Sequence, residues 1–415
     1  MLRLLHTADV HLGARHEDLG EAASALRERQ HAALRAAVDL ALAERVDCVL
    51  IAGDLFDANT ASRRTVERAV AQLARLAAAR IRIVLIPGGH DAYTRSSVYR
   101  AYDLSSLVGG DMLTLLTPDQ PRVHLETLDA VVVGPADPSR IGTGASTGPF
   151  AALGGPAVPA TTWRIGLLHA TLADPAADEA ARVRDDADGS VSPDGAPGSA
   201  GDGPPEPREL SEATIAASGL DFVALGHGHT AATGKAGSVS WAVAGSPEQV
   251  TADRREPGTV NLVTLDERAG AKSVRVETRV VGSSWHRELE VEAGLIASQA
   301  VLVERLRTAA DPELVLDVRI VGDRPDELVL EPAAIEEALQ GAYLCVRVHD
   351  RSRPPLTTGA LPPPETIAGA FVRDVEARIA ELEAADGEAG DDEATELREV
   401  LRLGRRLLAG AEVAR

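Results

Sequence analysis

The sequence predicts an α/β protein, and the stretch CVLIAGDLFD at residues 48–57 gives the first reason. Its first six residues are apolar or small, which is typical of a strand buried on both faces of a parallel sheet. Strand-like and helix-like segments alternate around it, which is the second reason. The apolar run stops at Asp54, at the carboxyl end of the strand, where open α/β sheets place their ligands. Because a buried carboxylate is costly without a compensating cation, we interpret Asp54 as a metal ligand.

The first 90 residues predict the order β-α-β-α-β. Apolar strands are expected at residues 2–7, 46–52 and 81–86. The stretch 21–45 is rich in Ala and Leu and has neither Gly nor Pro, which predicts a helix. A second helix is expected at 62–80, where apolar residues recur at helical spacing. This order favours parallel strands joined by crossover helices.

From about residue 113 the pattern changes to short strands separated by turn residues. The strands expected in this region are 122–125, 130–133, 164–169, 221–226, 239–244, 259–265 and 273–281. Residues 173–207 interrupt them with a stretch rich in Pro, Gly, Ala and Asp, which predicts a mobile insertion. We expect residues 1–282 to form one domain.

Residues 283–353 predict a second, small α/β domain, because strand, helix, strand, helix and strand follow one another there. A Pro-rich linker is expected at 354–364. Two amphipathic helices follow within 362–412, with an acidic turn at 386–393 between them. Their apolar stripes need a surface to pack on, which is either a partner or this chain itself.

Composition limits the classes of protein that the chain can be. A length of 415 residues favours two or three domains. The net charge of −21 argues against a general affinity for nucleic acid, although bound divalent metals or a basic partner reverse the sign locally. No apolar run is long enough to span a bilayer, and the first residues lack the layout of a signal peptide. The two cysteines lie in strand-like segments, which favours reduced thiols and a cytoplasmic protein without a membrane partner.

Five short motifs each follow a predicted strand at its carboxyl end. They supply the acids and imidazoles Asp9, His11, Asp54, Asp57, His90, Asp91, His169, His227 and His229. One such motif often arises by chance, but five in equivalent positions predict a common site. Imidazoles and carboxylates without thiolate favour Mn²⁺, Fe²⁺ or Zn²⁺ over Ca²⁺ or Mg²⁺. Two such metals bridged by a carboxylate support in-line displacement at phosphorus, with water as the nucleophile.

These motifs resemble those of the calcineurin-like metallophosphoesterases, and within that family the SbcD-type DNA repair exonuclease branch. The resemblance rests on residues 6–13, 53–57, 90–91, 169, 226–229 and 245–247. It implies a four-layer α-β-β-α sandwich with a small α/β capping domain and a C-terminal helical pair. It also implies two Mn²⁺ ions per chain, with Mg²⁺, Fe²⁺ or Zn²⁺ as other possible metals. The implied partners are DNA, an SbcC-like coiled-coil ATPase and a second copy of the chain.

The resemblance also implies roles for single residues. One metal would be held by Asp9, His11, Asp54 and His229, and the second by His169 and His227, with Asp54 bridging the two. His90 would be the general acid that protonates the leaving oxygen. Asp91 would orient His90, and Asp57 either supports a ligand or is a turn residue.

The sequence departs from the family pattern at Gly89, where the family has an Asn that ligates the second metal. Either the second metal site is weakened, or a water or a nearby group takes the place of the Asn. Tyr93, Arg95 and Ser97 follow this motif. They contact DNA bases or phosphates, or they are helix caps and packed side chains.

Three functions are open on the sequence. The first is a metal-dependent DNA exo/endonuclease subunit that works with an SbcC-like ATPase in DNA repair. The second is a phosphodiesterase or phosphatase that acts on a nucleotide, a small molecule or a phosphoprotein. The third is a weakly active scaffold relative.

Overall fold

The computed structural model describes residues 1–16, 19–20, 22–135, 161–173, 209–248, 257–325, 328–353, 363, 365–384 and 388–408. The chain divides into two compact units. The first comprises Met1–Arg287 with Glu313–Val315, and the second comprises Glu288–Pro312 with Leu316–Arg415. Apart from residue 173, the insertion expected at 173–207 lies outside the described residues, as does nearly all of the linker expected at 354–364.

Strands and helices alternate in the first 135 residues. The strands are β1 (Leu2–Thr7), β2 (Cys48–Ala52), β3 (Arg82–Ile86), β4 (Leu113–Leu115), β5 (Arg122–Leu125) and β6 (Ala130–Val133). The helices are α1 (Ala22–Ala43), α2 (Arg63–Ala78), α3 (Val98–Ala101) and α4 (Leu104–Val108). The β-α-β-α-β order expected for the first 90 residues is confirmed, with each bound within two residues of the expected one.

The later part of the first unit is mostly strand. Its elements are β7 (Trp163–His169), β8 (Thr171–Leu172), β9 (Glu209–Leu210), α5 (Glu212–Ala216), β10 (Phe222–Gly226), β11 (Ala232–Ala236), β12 (Val239–Val243), β13 (Thr259–Arg268) and β14 (Ala271–Val280). Strand β11 was not expected, because Ala, Gly and Lys have little preference for strands. It forms by pairing antiparallel with β12 along its whole length.

The described strands of the first unit form two six-stranded sheets and one small two-stranded sheet. The large sheets have the orders β14-β13-β1-β2-β3-β4 and β11-β12-β10-β7-β6-β5. Strands β1 to β4 run parallel in the first, and β6, β7, β10 and β12 run parallel in the second. The expected α/β class with parallel strands is therefore confirmed.

Apolar side chains bury both faces of β2. On one face, Leu50 belongs to a cluster that also contains Ile165 and Phe222 of the second large sheet. On the other face, Ile51 packs in a cluster that includes Leu73 of α2. All five residues of β2 are buried. This two-sided burial explains why its sequence is apolar without alternation.

The second unit holds most of a small α/β arrangement. Its elements are β15 (Trp285–Glu292), α6 (Gln299–Thr308), β16 (Leu314–Val321), α7 (Pro332–Ala338) and β17 (Cys345–Asp350). The three strands form one sheet in the order β15-β16-β17. The expected alternation of strand and helix is confirmed, and the role of this region as a cap stays a prediction.

Two long helices end the described chain, α8 (Ile367–Glu383) and α9 (Glu388–Leu408). They pack on each other through Val372, Ile379 and Leu401. The acidic turn expected at 386–393 is wrong for residues 388–393, which are already helical. Acidic residues are favourable in the first turn of a helix because they complement its dipole. Among the described residues, no helix combines the length and the apolar character needed to cross a membrane.

Gly226 offers a test of how closely the two large sheets approach at the ends of β2 and β10. A Cβ atom added there would lie 1.9 Å from the carbonyl oxygen of Ala52. We expect Gly226→Ala to lower the free energy of unfolding by about 1–3 kcal/mol, as overpacking does, in urea denaturation. Gly89→Ala is the control, because its added Cβ would meet no atom within 4 Å. Equal effects of the two substitutions would contradict this packing.

Candidate metal centre

Two carboxylates are buried side by side where β1 and β2 end. Asp9 and Asp54 are 0% and 1% exposed. The two loops continue the parallel pairing beyond the strands, since the N–H of Asp9 donates to Gly53 O at 3.1 Å and that of His11 to Asp54 O at 3.0 Å. The pairing brings together two acids that are 45 positions apart in the sequence, as expected for carboxyl ends of adjacent parallel strands.

The backbone around these acids is strained. Four predicted ligands have a positive φ, namely Asp9 (52°), His11 (48°), Asp54 (50°) and His227 (79°). Side-chain-bearing residues rarely adopt this left-handed region, and each instance costs on the order of 1–3 kcal/mol. Such strain persists where the surrounding structure enforces it, and it concentrates at functional sites.

The six predicted metal ligands lie together. Ligand atoms of Asp9, His11 and His229 lie within 4.8 Å of one another, and so do those of Asp9, Asp54 and His169. The sixth, His227, has its ring centroid 5.1 Å from that of His169. Its backbone N–H also donates to both carboxylate oxygens of Asp9, at 3.1 and 3.0 Å. The strands of both large sheets thus contribute to one cluster.

His169 and Asp54 are in close contact within this cluster. The Nδ1 of His169 donates to the carbonyl oxygen of Ala52 at 2.8 Å, and its Nε2 lies 3.1 Å from Oδ2 of Asp54. Burial opposes protonation of His169, but the hydrogen bond and charge of Asp54 raise its pKa to about 9. For Asp54, burial by itself would raise the pKa, but the hydrogen bond and charge of His169 lower it below the ordinary value.

The charged form of Asp9 is less favoured than that of Asp54. Burial raises its pKa to about 6, although His169 and His11 act in the opposite direction. The imidazoles supply part of the positive charge that the two buried acids require. A divalent cation would meet the same requirement, since buried carboxylates need a counter-charge or a metal.

His11 provides the observation that tests whether a metal fits. It is 1% exposed, and its Nε2 has no hydrogen-bond partner among the described residues. That nitrogen lies 3.8 Å from Oδ2 of Asp54. Buried polar atoms are nearly always satisfied, so an unpartnered imidazole nitrogen beside two buried acids indicates a missing ligand. Nitrogen and oxygen donors of this kind fit a divalent transition metal.

Asp57 supports two histidines, which answers the question that the sequence left open. Its Oδ1 lies 3.2 Å from Nδ1 of His11. Its backbone carbonyl oxygen lies 3.0 Å from Nδ1 of His90, which donates to it. Burial opposes protonation of His11, but the hydrogen bond of Asp57 and the neighbouring acids raise its pKa above the ordinary value. The carboxylate of Asp57 orients His11 so that Nε2 faces Asp54.

His90 is the exposed histidine of the cluster. Its side chain is 53% exposed, and its ring centroid lies 4.6 Å from that of His11. Its backbone N–H donates to Oδ1 of Asp54 at 2.8 Å. The imidazole therefore lies beside the buried ligands and within reach of a bound molecule.

The prediction that Asp91 orients His90 is wrong. Asp91 is 0% exposed, and its carboxylate accepts from the N–H of Gly88 at 2.7 Å and from that of Phe56 at 3.1 Å. The hydroxyl of Tyr99 also donates to it. Burial raises the pKa of Asp91. Asp91 links the loops after β2 and β3, while the backbone carbonyl oxygen of Asp57 takes the position behind His90.

The three predicted DNA-contacting residues lie in different surroundings. Ser97 is 1% exposed, and its hydroxyl accepts from the N–H of Tyr99 at the start of α3. Tyr93 is half-buried against the hydrophobic core, with the guanidinium of Arg100 4.2 Å from its ring centroid. This favours the capping and packing alternatives for Ser97 and Tyr93. Arg95 is exposed, and its contact with DNA stays a prediction.

Two glycines let the loops approach the ligands. A Cβ atom at Gly53 would lie 2.3 Å from Nδ1 of His169, and one at Gly88 would lie 2.2 Å from Oδ1 of Asp54. Any larger residue would displace a ligand. Gly89 differs from both, because a Cβ atom added there would meet no atom within 4 Å.

Comparison with known proteins agrees with this geometry. The sequence matches the calcineurin-like phosphoesterase family over residues 2–231, a range that includes all six predicted ligands. The chain belongs to this family. The protein is therefore a phosphoester hydrolase of a kind that binds divalent metals.

Relatives of this phosphoesterase include DNA repair proteins. The DNA double-strand break repair protein Mre11 of Halobacterium salinarum is 27% identical over 364 residues, which are 85% of this chain and 78% of that protein. Mre11 of Saccharolobus solfataricus is 31% identical over 124 residues, 30% of this chain and 31% of that protein. The SbcD subunit of the nuclease SbcCD from Rhodobacter capsulatus is 38% identical over 97 residues, 23% of this chain and 22% of that protein. The chain thus spans less than a third of the length of the last two relatives.

Replacing Asp57 or Asp91 in this phosphoesterase should distinguish two roles. Asp57 orients the predicted ligand His11, and Asp91 links two loops. We expect Asp57→Asn to weaken Mn²⁺ binding about 10- to 100-fold in isothermal titration calorimetry, because His11 loses the carboxylate that orients it. Asp91→Asn should mainly lower the free energy of unfolding, by about 1–3 kcal/mol, because buried donors lose their acceptor. If Asp91→Asn weakened Mn²⁺ binding as much as Asp57→Asn, the division of roles would be contradicted.

Proposed function

We propose that this phosphoesterase is a metal-dependent DNA exo/endonuclease subunit that hydrolyses phosphodiester bonds in DNA repair. The observation that carries the proposal is the gathering of six acids and imidazoles from both sheets, with the exposed His90 beside them. The names of the relatives, a DNA double-strand break repair protein and a nuclease subunit, support DNA as the substrate.

The ligands divide into two groups around Asp54. Asp9, His11 and His229 would hold one metal, and His169 with His227 would hold the other, with Asp54 between them. Bound metals would activate a water and neutralise charge on the phosphoryl oxygens. We propose Mn²⁺, two ions per chain, because nitrogen and oxygen donors without thiolate suit it. A local positive charge would also let a chain with a net charge of −21 accept a polyanion.

His90 is the residue that we assign as the general acid. Its Nδ1 donates to the carbonyl oxygen of Asp57, so Nε2 is the ring nitrogen left to give a proton to the leaving oxygen. The exposure of its side chain suits a group that meets a long substrate. Proton donation by a positioned side chain contributes about 10²- to 10⁴-fold to rates.

Several parts of the proposal concern the whole chain. The two large sheets and their flanking helices support the four-layer α-β-β-α arrangement for residues 1–282. Residues 283–353 would be the capping domain. The helices within 362–412 would bind the coiled coil of an SbcC-like ATPase, since Ile367, Val400 and Leu408 are exposed on them. We also propose that the chain forms a homodimer and that it acts in the cytoplasm.

Cleavage of two substrates tests the proposed function. The purified chain with Mn²⁺ should degrade end-labelled linear duplex DNA, and His90→Ala should slow this about 10²- to 10⁴-fold while Mn²⁺ still binds. His124→Ala, on strand β5, is the matched control and should cleave at the wild-type rate. Hydrolysis of an aryl phosphodiester without any cleavage of DNA would remove the nuclease proposal and favour a small-molecule phosphodiesterase.

Gly89→Asn tests whether the second metal site is weakened. A Cβ atom added at this position would meet no atom within 4 Å, and the carbonyl oxygen of the Asn side chain would add a ligand. We expect tighter binding of the second Mn²⁺ in a calorimetric titration. Gly89→Ala is the control, because it adds a Cβ atom without a donor. Unchanged stoichiometry and affinity in Gly89→Asn would show that the second site does not depend on this position.

A further inference from the structure

The segment 245–248 lies directly behind the candidate ligand His229. The N–H of Ser246 donates to the carbonyl oxygen of His229 at 3.2 Å, and the N–H of Thr259 donates to Ser246 O at 2.9 Å. Gly245 has a φ of +70°, and a Cβ atom there would lie 3.1 Å from the carbonyl oxygen of His229. The positive φ and the close approach both favour glycine at this position. The backbone of His229 is therefore fixed by the segment that follows β12.

The same segment ends in a buried carboxylate. Glu248 is 1% exposed, and both of its oxygens accept hydrogen bonds from two consecutive serines. Oε2 accepts from the N–H of Ser283 at 3.1 Å and from its hydroxyl at 3.4 Å. Oε1 accepts from the N–H of Ser284 at 3.2 Å and from its hydroxyl at 2.5 Å. Four donors on one carboxylate define the position of Glu248 closely, because hydrogen bonds to a charged acceptor are stronger than those between neutral groups.

Close backbone packing adds to this contact. A Cβ atom at Gly258 would lie 2.0 Å from the carbonyl oxygen of Pro247, and one at Gly282 would lie 2.6 Å from it. The N–H of Gly282 also donates to Gly258 O at 3.0 Å. The segment 245–248 therefore has no room to shift relative to residues 258 and 282.

These contacts form one continuous path. It runs from His229 through Ser246 and Glu248 to Ser283 and Ser284, and the second unit begins at Glu288, four residues later. We propose that Glu248 is a positioning residue for the metal ligand His229, which links metal affinity to the conformation of residues 283–284. The proposal rests on the metal centre of the proposed function and does not require that DNA be the substrate.

A positioning role and a purely structural role differ in what Glu248 changes. Loss of a buried acceptor lowers stability in either case. Only the positioning role also moves the carbonyl of His229 and weakens metal binding in protein that is still folded. Outer groups that orient metal ligands typically contribute about 10- to 100-fold to affinity.

Mn²⁺ binding to the full chain, without substrate, tests the proposal. In calorimetric titration well below the melting temperature, we expect Glu248→Ala to raise the Kd of one Mn²⁺ about tenfold, with a smaller rise for Glu248→Gln. Hydrogen exchange of the Ser246 amide should become faster in both variants. Glu267→Gln, an exposed glutamate on β13, is the matched control and should bind Mn²⁺ like the wild type.

Ser284→Ala keeps the test decisive if the Glu248 variants fail to fold. It removes one hydroxyl donor and leaves the backbone donor in place, so a smaller rise in Kd is expected. A lower melting temperature with unchanged Mn²⁺ affinity, in Ser284→Ala or in folded Glu248 variants, would overturn the proposal. Wild-type protein that binds Mn²⁺ but cuts no DNA would overturn the proposed function alone, and wild-type protein that binds no Mn²⁺ would overturn both.

Discussion

The burial of Asp9 and Asp54 at the ends of two adjacent parallel strands is the constraint on which the site depends. Two acids that are at most 1% exposed cannot remain charged beside each other without compensation. The molecule surrounds them with the N–H of His90, the N–H of His227 and the ring of His169. A divalent metal would complete this compensation, as the family's binding of divalent metals implies.

The backbone around the buried acids has an unusual conformation. Four ligands take a left-handed φ, and glycines at 53, 88 and 226 let loops pass within contact distance of the ligands and of β2. These features oppose stability locally, and the apolar contact between the two large sheets offsets them. The packed sheets thus maintain a strained backbone, and such strain concentrates at functional sites.

The sequence predicted correctly where the strands end, but it did not predict the hydrogen-bond partners of side chains in the loops. The strand bounds followed from apolar runs that stop at acids or histidines, whereas the set of six predicted ligands came from the resemblance to the family and stays a prediction. The roles of Asp57 and Asp91 could not be told apart in this way, because both lie in loops beyond the end of a strand. Their roles depend on loop dihedral angles, which place Asp57 against His11 and bury Asp91 against Gly88 and Tyr99.

The sequence by itself determined the α/β class, the parallel strands and the presence of residue types that suit a divalent metal, because burial periodicity and donor chemistry are local properties. Only the tertiary structure decided that Asp57 contacts both His11 and His90, that Ser97 caps a helix, and that the segment 245–248 contacts His229 and residues 283–284. Apart from the local cap at Ser97, these contacts join positions far apart in the sequence. Hydrogen-bond partners at such separations are fixed by how the loops pack and not by the pattern of any one segment.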